Sequence, residues 1–401
     1  RAESGARSRA ETAMRRMRWR SDFEKKCIVS NFERRGWRKV MDDEDEYWNL
    51  YWASKSTHLS SLMMRLGEDQ LVNHFPNHYE LTRKDLMVKN IKKYRKELER
   101  TGRGSEVDEL VPVTFTLPAD YPLFVEEFRR VELEHGGRSL WIMKPCAKCQ
   151  GVGIFLISKL AQIKKWAARN GDATGRDQYV VSRYIDHPLL VGGRKFDLRI
   201  YVLVTGYNPL RAYVHKDGFA RFCTAKYSSS PADLDNVLMH LTNVAVQKHS
   251  EDYNEDHGGK WHIHNLRLYT QATYGQEATD RMFLGIRGLI YHSLKACQSI
   301  IINDKHCFEL YGYDVLIEGN LRPWLIEVNA SPSLSATTPS DLALKTGVIN
   351  DVLNIVFPDD FPEVNKNNNR DESAWRGGGF RLLVDEGAGA QPWQQAKMDW
   401  P

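Results

Sequence analysis

Two short hydrophobic runs near the C-terminal end of the chain, residues 311–317 and 324–329, constrain its fold more than any other feature. Both runs are apolar and partly β-branched, which is typical of β-strands. The polar segment between them contains Gly319 and Asn320, and this pair is typical of a two-residue hairpin turn. The sequence therefore predicts an antiparallel β-hairpin in this region.

The predicted hairpin brings three oxygen-bearing side chains to one face. A turn at residues 319–320 places Asp314 opposite Leu325, with Glu327 as its diagonal neighbour. Asn329 follows on the same face because side chains alternate along a strand. Oxygen ligands with few carboxylates suit a magnesium ion that is shared with substrate phosphates. The alternative is a hairpin whose polar residues simply face water.

Composition favours an ordinary soluble protein and excludes several classes. The 401 residues are enough for two or three domains. The 56 basic and 52 acidic residues leave a formal net charge of +4, which indicates no nucleic-acid partner. No apolar run reaches the roughly 18 residues that a membrane span needs, so we expect no membrane segment. The six cysteines form no disulfide framework and suit a reduced cytosolic setting.

The pattern of hydrophobic and polar segments predicts an α/β protein with three lobes between two irregular ends. Residues 1–16 are rich in Arg, Ala and Ser and are predicted to be a disordered basic leader. We expect an N-terminal α/β lobe over residues 17–110, a central lobe over 111–185 and a C-terminal lobe over 186–356. Residues 357–401 become rich in Asn, Gly and Asp, and we expect a flexible tail there.

A strongly basic helix is predicted within the N-terminal lobe, over residues 83–100. It carries eight basic and three acidic side chains, a local net charge of +5. The helix is either a solvated surface or a docking surface for an acidic partner. The sequence leaves both interpretations open.

Two further segments have the composition of a nucleotide site. Lys144 precedes a glycine loop at residues 150–153. Glycines let backbone N–H groups approach phosphates, and a lysine adds a positive charge. On a predicted strand, Lys195, Asp197 and Arg199 share one face, and three charges there need partners or a charged ligand. An ordinary turn and an exposed edge strand are the alternatives.

Taken in order, these segments resemble the tubulin tyrosine ligase-like family of ATP-grasp ligases. The matching segments are Lys-Pro and Gln-Gly-Val-Gly within 144–153, Arg-Lys-Phe-Asp-Leu-Arg at 194–199, His-Leu-Thr-Asn at 240–243, Tyr-Gly-Tyr-Asp at 311–314 and Trp-Leu-Ile-Glu-Val-Asn-Ala-Ser-Pro-Ser at 324–333. The resemblance covers residues 19–356. Within the family it is greatest to the short tubulin polyglutamylases, one of which is the catalytic subunit of a multi-subunit complex.

The resemblance implies an ATP-grasp ligase fold with a small N-terminal lobe, and with ATP bound between the central and C-terminal lobes. The residues that it assigns to ATP are Lys144, Gln150, Gly151, Ser182, Arg183, Tyr184, Ile185, Lys195, Phe196, Asp197, Thr242 and Asn243. Val152 departs from the relatives' pattern, in which this loop position carries a lysine.

The resemblance also assigns the residues of the reaction. Asp314, Glu327 and Asn329 would hold two Mg²⁺ ions, with Glu327 between them. Arg199 would lie near the transferred phosphoryl group and, with Glu327, count as catalytic. Arg221 and Lys260 would bind the carboxylates of free L-glutamate.

The implied activity is an ATP- and Mg²⁺-dependent ligase that adds glutamate side chains to the acidic tails of tubulin through an acyl phosphate. The alternatives are a tubulin glycine ligase and a catalytically weak ciliary scaffold that retains the fold. Two carboxylate-binding cations favour glutamate, and intact metal ligands argue against the scaffold. The expected partners are tubulin, free L-glutamate and further subunits of a polyglutamylase complex, with neither nucleic acid nor membrane. The expected location is the cytoplasm and cytoskeleton, at the ciliary axoneme or basal body.

Overall fold

Three β-sheets and the helices that cover them organise the part of the chain that the structure describes. The computed structural model describes residues 17–41, 47–57, 66–146, 151–170, 178–254, 259–357, 378–395 and 400, with only the backbone of 167–170. The predicted leader at residues 1–16 lies outside these ranges. Helices and strands alternate along the chain, which confirms the predicted mixed α/β class.

The N-terminal sheet is small and parallel. Its strands β1 (Arg18–Ser21), β2 (Arg38–Lys39), β3 (Leu50–Trp52) and β4 (Leu71–Val72) lie in the order β2-β1-β3-β4. Helix α1 (Lys26–Arg34) connects β1 to β2. The buried ring of Phe32 contacts Trp19, Trp37 and Trp52, so tryptophans anchor this lobe.

The central sheet is antiparallel and carries two helices. Its strands are β5 (Thr114–Leu117), β6 (Trp141–Pro145), β7 (Phe155–Ile157) and β8 (Tyr179–Arg183), in the order β5-β8-β6-β7. Helices α4 (Tyr121–Glu134) and α5 (Leu160–Asn170) follow β5 and β7. Phe124, Phe128 and Trp141 form the centre of its separate hydrophobic core.

The C-terminal sheet is the largest and is antiparallel throughout. Its strands are β9 (Leu190–Val191), β10 (Arg194–Tyr207), β11 (Leu210–Phe222), β12 (Lys260–His262), β13 (Glu309–Ile317), β14 (Pro323–Asn329) and β15 (Phe380–Asp385). Five of them follow the order β12-β11-β10-β13-β14, while β9 pairs with β10 and β15 pairs with β11.

Helices cover the two faces of this sheet differently. The helices here are α2 (Tyr79–Thr82), α3 (Lys84–Arg100), α6 (Val237–His240), α7 (Val244–Gln247), α8 (Ile263–Tyr274), α9 (Gln276–Gln298) and α10 (Pro339–Val356). One face packs against α3, α8 and α9 through residues such as Ile91, Ile200 and Ile290. On the other face, Tyr201 and Val352 belong to a core shared with α10 and the N-terminal sheet.

Two features of this packing bear on the sequence analysis. The basic helix α3 was expected in the N-terminal lobe, but its apolar side packs on the core of the C-terminal sheet. None of the described helices is both long and apolar enough to cross a membrane. The lobe boundaries at residues 110, 185 and 356 stay predictions.

The prediction of a flexible tail over residues 357–401 is wrong for the part of it that the structure describes. Strand β15 pairs with β11 and buries Leu383 and Val384. Trp400 is buried and donates its indole N–H to the carbonyl of His215 at 2.7 Å. A short apolar strand in a polar stretch carries little sequence signal, whereas the free edge of β11 provides a ladder for it.

Candidate functional site

An open cleft of about 1090 Å³ is lined by residues of the central sheet and of strands β10, β13 and β14 of the C-terminal sheet. Part of its wall is apolar, with Ile142, Val180 and Leu325. Twelve of the predicted site residues line it, namely Lys144, Gly151, Ser182, Arg183, Tyr184, Ile185, Lys195, Asp197, Thr242, Asn243, Asp314 and Glu327. An apolar cleft with convergent charges suits a ligand that is flat at one end and polyanionic at the other.

The hairpin of β13 and β14 is present, but its register differs from the prediction. Ile317 pairs with Pro323, so the connection spans residues 318–322 instead of a two-residue turn. A register shift next to Asp314 then places this residue directly opposite Glu327, and the predicted pairing of Asp314 with Leu325 is wrong. The bulge and the longer loop together bring the two carboxylates closer than a regular hairpin would.

The oxygen ligands predicted for magnesium lie together at this hairpin. The side-chain amide of Asn329 donates to Glu327 Oε1 at 3.3 Å and to the carbonyl of Gly312 at 3.2 Å, which leaves its own oxygen for a ligand. Gly312 is required here, because a Cβ atom would lie 2.8 Å from Pro332 Cβ. Two carboxylates and one amide oxygen form a donor set that magnesium accepts.

This donor set is not a cluster of three or more His, Cys, Asp or Glu side chains, and among the described residues no such cluster is spaced for a metal. The third donor is an amide, so the fit rests on the opposed pair Asp314 and Glu327 with Asn329 two residues along β14. Lys84, at the start of α3, lies with its Nζ 3.1 Å from Glu327 Oε2.

Asp314 belongs to a chain of four charges that crosses three strands. Arg199 Nε donates to its Oδ1 at 2.6 Å, and Arg221 Nη2 lies 2.8 Å from its Oδ2. Arg221 also donates to both carboxylate oxygens of Asp197, at 2.8 and 2.6 Å. Burial alone would raise the pKa of Asp314, but Arg199 and Arg221 outweigh burial and hold that pKa well below its usual range. The carboxylate is therefore ionised at neutral pH.

Four predicted residues lie beside the cleft and do not line it. Arg199 lies alongside Asp314, and Asn329 lies beyond Glu327 on β14. Arg221 and Lys260 are direct partners in the ladder between β11 and β12, so the structure brings the two predicted glutamate-binding cations together. Both cations already have anionic partners, since Arg221 pairs with Asp197 and Asp314 and Lys260 pairs with Asp341.

Phe196 is the one described member of the predicted ATP set that the structure keeps away from the cleft. Its ring is 1% exposed and packs against Phe222, with the ring centroids 5.2 Å apart. The alternation of β10 turns it to the opposite face from Lys195 and Asp197. Its side chain therefore cannot contact a nucleotide in the cleft. Gln150 lies outside the described residues.

Two buried lysines in the cleft make no direct ion pair with a described residue. Lys144 is 9% exposed and has no hydrogen bond or ion pair within the described ranges. Lys195 Nζ donates to the hydroxyl of Tyr184 at 2.9 Å and to the carbonyl of His240 at 3.0 Å, which are both neutral groups. Burial lowers the pKa of Lys144 to about 8 and, likewise, the pKa of Lys195 to about 8. Glu327 and Asp314 act on Lys144, and Asp197 acts on Lys195, only through longer-range attraction. Buried cations without a direct ion pair favour an anionic ligand.

The glycine loop approaches α7 closely. Gly151 has φ +82°, and a Cβ atom on it would lie 3.0 Å from Val246 and 3.2 Å from Asn243 Oδ1. Glycine is thus required both by the backbone conformation and by the space. Val152, beside it, lines the cleft with a side chain that is 61% exposed.

Three residues received no role in the site from the sequence, and one of them, His240, was named only as part of a matching segment. Lys84 was counted only as a charge on the basic helix, although it reaches Glu327. His240 orders Tyr184, because its Nδ1 lies 2.9 Å from the tyrosine hydroxyl that holds Lys195. Asp341 accepts from Lys260 across 81 residues of sequence. No local pattern could identify these contacts, since each joins segments that are remote along the chain.

Comparisons with known proteins show which family the chain resembles. A model of the "Tubulin-tyrosine ligase family" matches residues 60–365. A probable alpha-tubulin polyglutamylase Ttll1 from Tetrahymena thermophila is 47% identical over 93% of this chain and 94% of its own length. A probable tubulin polyglutamylase TTLL9 from Bos taurus is 43% identical over 80% of this chain and 76% of its length. The tubulin polyglutamylase TTLL5 of Homo sapiens is 39% identical over 80% of this chain but only 24% of its own length.

Proposed function

The chain belongs to the tubulin-tyrosine ligase family, and on that premise we propose that it is an ATP- and Mg²⁺-dependent ligase that adds glutamate to the acidic tails of tubulin. The names of its relatives as tubulin polyglutamylases support both the substrate and the amino acid. The observation that carries the proposal is one cleft in which two buried lysines without a direct ion pair, Lys144 and Lys195, accompany an opposed pair of carboxylates.

The lining of the cleft supports one orientation of ATP. The apolar wall of Ile142, Val180 and Leu325 suits the adenine ring, beside the backbone of residues 182–185. Lys144 and Lys195 then neutralise phosphate oxygens, and the glycine loop offers backbone N–H groups. Thr242 and Asn243 complete the cleft wall near Gly151.

Asp314, Glu327 and Asn329 would hold the magnesium ions, which supply charge neutralisation and alignment of the phosphates when bound. Arg199 and Arg221 keep the Asp314 carboxylate ionised and fix its orientation with bonds of 2.6 and 2.8 Å. The protein therefore presents an ionised oxygen donor at neutral pH.

In the proposed reaction the γ-carboxylate of a tail glutamate attacks the γ-phosphorus of ATP. ADP leaves, and the tail carries an acyl phosphate. The amine of free glutamate then attacks the acyl carbon, loses a proton and displaces inorganic phosphate, which forms an isopeptide bond. Lys144, Lys195 and Arg199 stabilise the developing negative charge, and such donors contribute about 3–4 kcal/mol each in well-ordered sites.

The neighbouring cations Arg221 and Lys260 explain a preference for a dicarboxylic amino acid. Arg221 uses Nε and Nη2 for Asp197 and Asp314, and its Nη1 makes no hydrogen bond to any described residue. Lys260 uses two of its three N–H bonds, for Thr337 and Asp341. Each cation thus keeps a donor for a carboxylate, whereas glycine, with one carboxylate, would leave one of them unpaired.

Helix α3 offers a path for the acidic tail. Lys89, Lys93 and Lys96, here called the lysine stripe, are exposed and recur at the spacing of one helix face. None of the three has an ion pair within the described part of the chain. The same helix lines the cleft with Lys84 and Met87, which lie near its N-terminal end and on a different face from the stripe.

Three lysines give a weak, salt-sensitive hold on an acidic tail. We therefore propose that partner subunits contribute to targeting, and that the ligase acts in the cytoplasm on cytoskeletal tubulin, at the ciliary axoneme or basal body. Activity of the isolated chain should be slow and should improve at low ionic strength. Fast, salt-insensitive modification of microtubules by the chain alone would contradict the need for partners.

Mass spectrometry of tubulin tails tests the proposed activity. The chain is incubated with tubulin, Mg²⁺-ATP and either glutamate or glycine, and the tail masses are recorded. Stepwise addition of glutamate residues supports the proposal, and addition of glycine alone supports the glycine ligase. A thermal shift with Mg²⁺-ATP but no modification of any tail would indicate the scaffold.

A further inference from the structure

Asp341 joins the strand that carries Lys260 to the first turn of α10. Its side chain is 1% exposed. Lys260 Nζ donates to Asp341 Oδ2 at 2.7 Å, and Lys345 Nζ lies 3.0 Å from Oδ1. The backbone N–H of Thr337 adds a bond of 3.1 Å to Oδ2. One buried carboxylate therefore holds two ammonium groups.

These contacts determine where the ammonium group of Lys260 lies. It also donates to Thr337 Oγ1 at 3.1 Å and lies 5.1 Å from the ring centroid of Phe219. The side chain is only 9% exposed. A lysine ammonium is a point charge on a flexible four-carbon stem, so it has a defined position only where partners fix it.

The charge of the cluster also depends on Asp341. Lys260 and Lys345 are side chains 9% and 6% exposed, and two ammonium groups this close repel each other. Asp341 compensates one of the two, which leaves a single positive charge. Lys260 lies directly opposite Arg221 in the sheet. The remaining positive charge of the cluster is therefore next to Arg221, whose Nη1 is still available as a donor.

We propose that Asp341 is a positioning residue for the amino-acid substrate, and that it holds Lys260 so that its third N–H meets a carboxylate of the incoming glutamate beside Arg221. This inference rests on the proposed function and extends it to a residue outside the ATP cleft. Asp341 itself touches neither ATP nor the tail, and it acts through Lys260.

A merely structural role for Asp341 makes a different prediction. Its backbone N–H donates to Thr338 Oγ1 at 3.1 Å in the N-terminal cap of α10, and a carboxylate in the first turn of a helix stabilises it. If this were its whole role, substitution would lower stability without singling out one substrate. A double-mutant cycle on the kinetic constants therefore distinguishes the positioning role from the structural role.

The experiment compares Asp341→Asn, Lys260→Met and the double variant, with kcat/KM for glutamate and KM for ATP as readouts. Each single variant should lower kcat/KM for glutamate about tenfold to thirtyfold, while KM for ATP changes less than about twofold. The double variant should be no worse than Lys260→Met, because Asp341 acts through that lysine. Additive effects, or equal changes for ATP and glutamate, would overturn the inference.

Two further variants serve as a matched control and as a replacement for a variant that does not fold. Asp351→Asn is the matched control, since Asp351 lies on the same helix but pairs with His215, and it should leave KM for glutamate unchanged. Thr337→Val serves if Asp341→Asn does not fold, because Thr337 is exposed and its hydroxyl accepts from Lys260 and donates to Asp341 Oδ2 at 3.3 Å. It should raise KM for glutamate about threefold with ATP unaffected, and an unchanged KM would overturn the inference.

Assays of the wild-type chain distinguish failure of this inference from failure of the proposed function on which it rests. If the wild type binds ATP but adds no glutamate to tubulin, the proposed function fails and the inference fails with it. If the wild type is active and the cycle is additive, the inference about Asp341 fails alone.

Discussion

Glu327 combines two contacts that determine what a conservative substitution should do. It accepts from Lys84 at 3.1 Å and from Asn329 at 3.3 Å, and its side chain is 22% exposed. Glu327→Gln keeps the shape and removes the charge, so the cost to the free energy of unfolding should stay below about 1 kcal/mol. Turnover should fall by a factor of about 100 or more, because the carboxylate opposite Asp314 is lost.

Steady-state ligase assays and thermal melting of the same preparations measure the two effects. Glu318→Gln is the matched control, since Glu318 lies in the connection of the same hairpin and its carboxylate accepts only from Asn320 and Trp324 in the described structure. Near-normal turnover in a folded Glu327→Gln protein would refute the assignment of Glu327 as a metal ligand.

The two cleft lysines predict how ATP binding depends on pH. Their pKa values of about 8 lie below the ordinary lysine value, so both lose protons in the free protein as pH rises above about 8. ATP phosphates favour the charged forms. The affinity for ATP should therefore fall from about pH 7 to pH 9, by roughly tenfold for each lysine at pH 9.

Isothermal titration in buffers of different ionisation enthalpy measures the protons that are taken up with ATP. At about pH 8.5 uptake should be positive, and Lys144→Met should reduce it, which identifies the group responsible. A constant affinity across this range, without proton uptake, would show that the two lysines stay charged in the free protein.

At the scale of elements, helix α3 shows why composition left its role open. The structure makes both interpretations partly true. Arg95 and Arg100 pair with Glu99 and Glu97 on the helix, as a solvated surface would. Lys92 is engaged by the central lobe, since its Nζ donates to the carbonyl of Thr114 at 2.5 Å. What remains for an acidic partner is the lysine stripe.

Reversal of the lysine stripe tests this surface. Lys89, Lys93 and Lys96 are changed to Glu together, and KM for tubulin should rise about tenfold at low salt, while KM for ATP stays within about twofold. The difference from wild type should shrink as salt is added, because exposed charges are screened. Binding of labelled tail peptides across a salt series measures it.

The control for the stripe is a charge reversal elsewhere. Lys164 and Lys165 are exposed on α5 of the central lobe, and reversal of this pair should change KM for tubulin little. If both sets of variants behave alike, the effect comes from net charge and not from a docking surface on α3.

At the scale of the whole molecule, the C-terminal segment ties the large sheet to its helices. Trp400 packs on Phe283 of α9, with the ring centroids 5.6 Å apart, and bonds to the His215 carbonyl of β11. Trp400→Ala should lower the free energy of unfolding by about 3–5 kcal/mol, as for other large aromatic side chains removed from a core. Denaturant unfolding followed by circular dichroism measures the loss.

Tyr274→Ala is a suitable control, because this aromatic ring is 41% exposed at the end of α8 and its loss should cost much less. A Trp400→Ala protein with wild-type stability would show that the segment is loosely held, as the flexible-tail prediction supposed.

Much of the site was accessible from local pattern. The alternation of β10 already put Lys195, Asp197 and Arg199 on one face, and the two hydrophobic runs predicted the hairpin with Asp314. These statements hold because a strand repeats every two residues whatever surrounds it. The resemblance added roles for residues whose types alone are unremarkable, such as Thr242.

What depended on the tertiary structure is every contact between segments that are remote along the chain. The bulge that sets Asp314 against Glu327, the ion pair of Lys84 and the bond between Lys260 and Asp341 follow from loop lengths and packing. The sequence by itself determined the fold class, the strand faces and the chemical types in the site, since these are properties of local backbone geometry. Only the folded chain decided the register, the helix faces and the C-terminal strand, because these depend on which surfaces are left to bury.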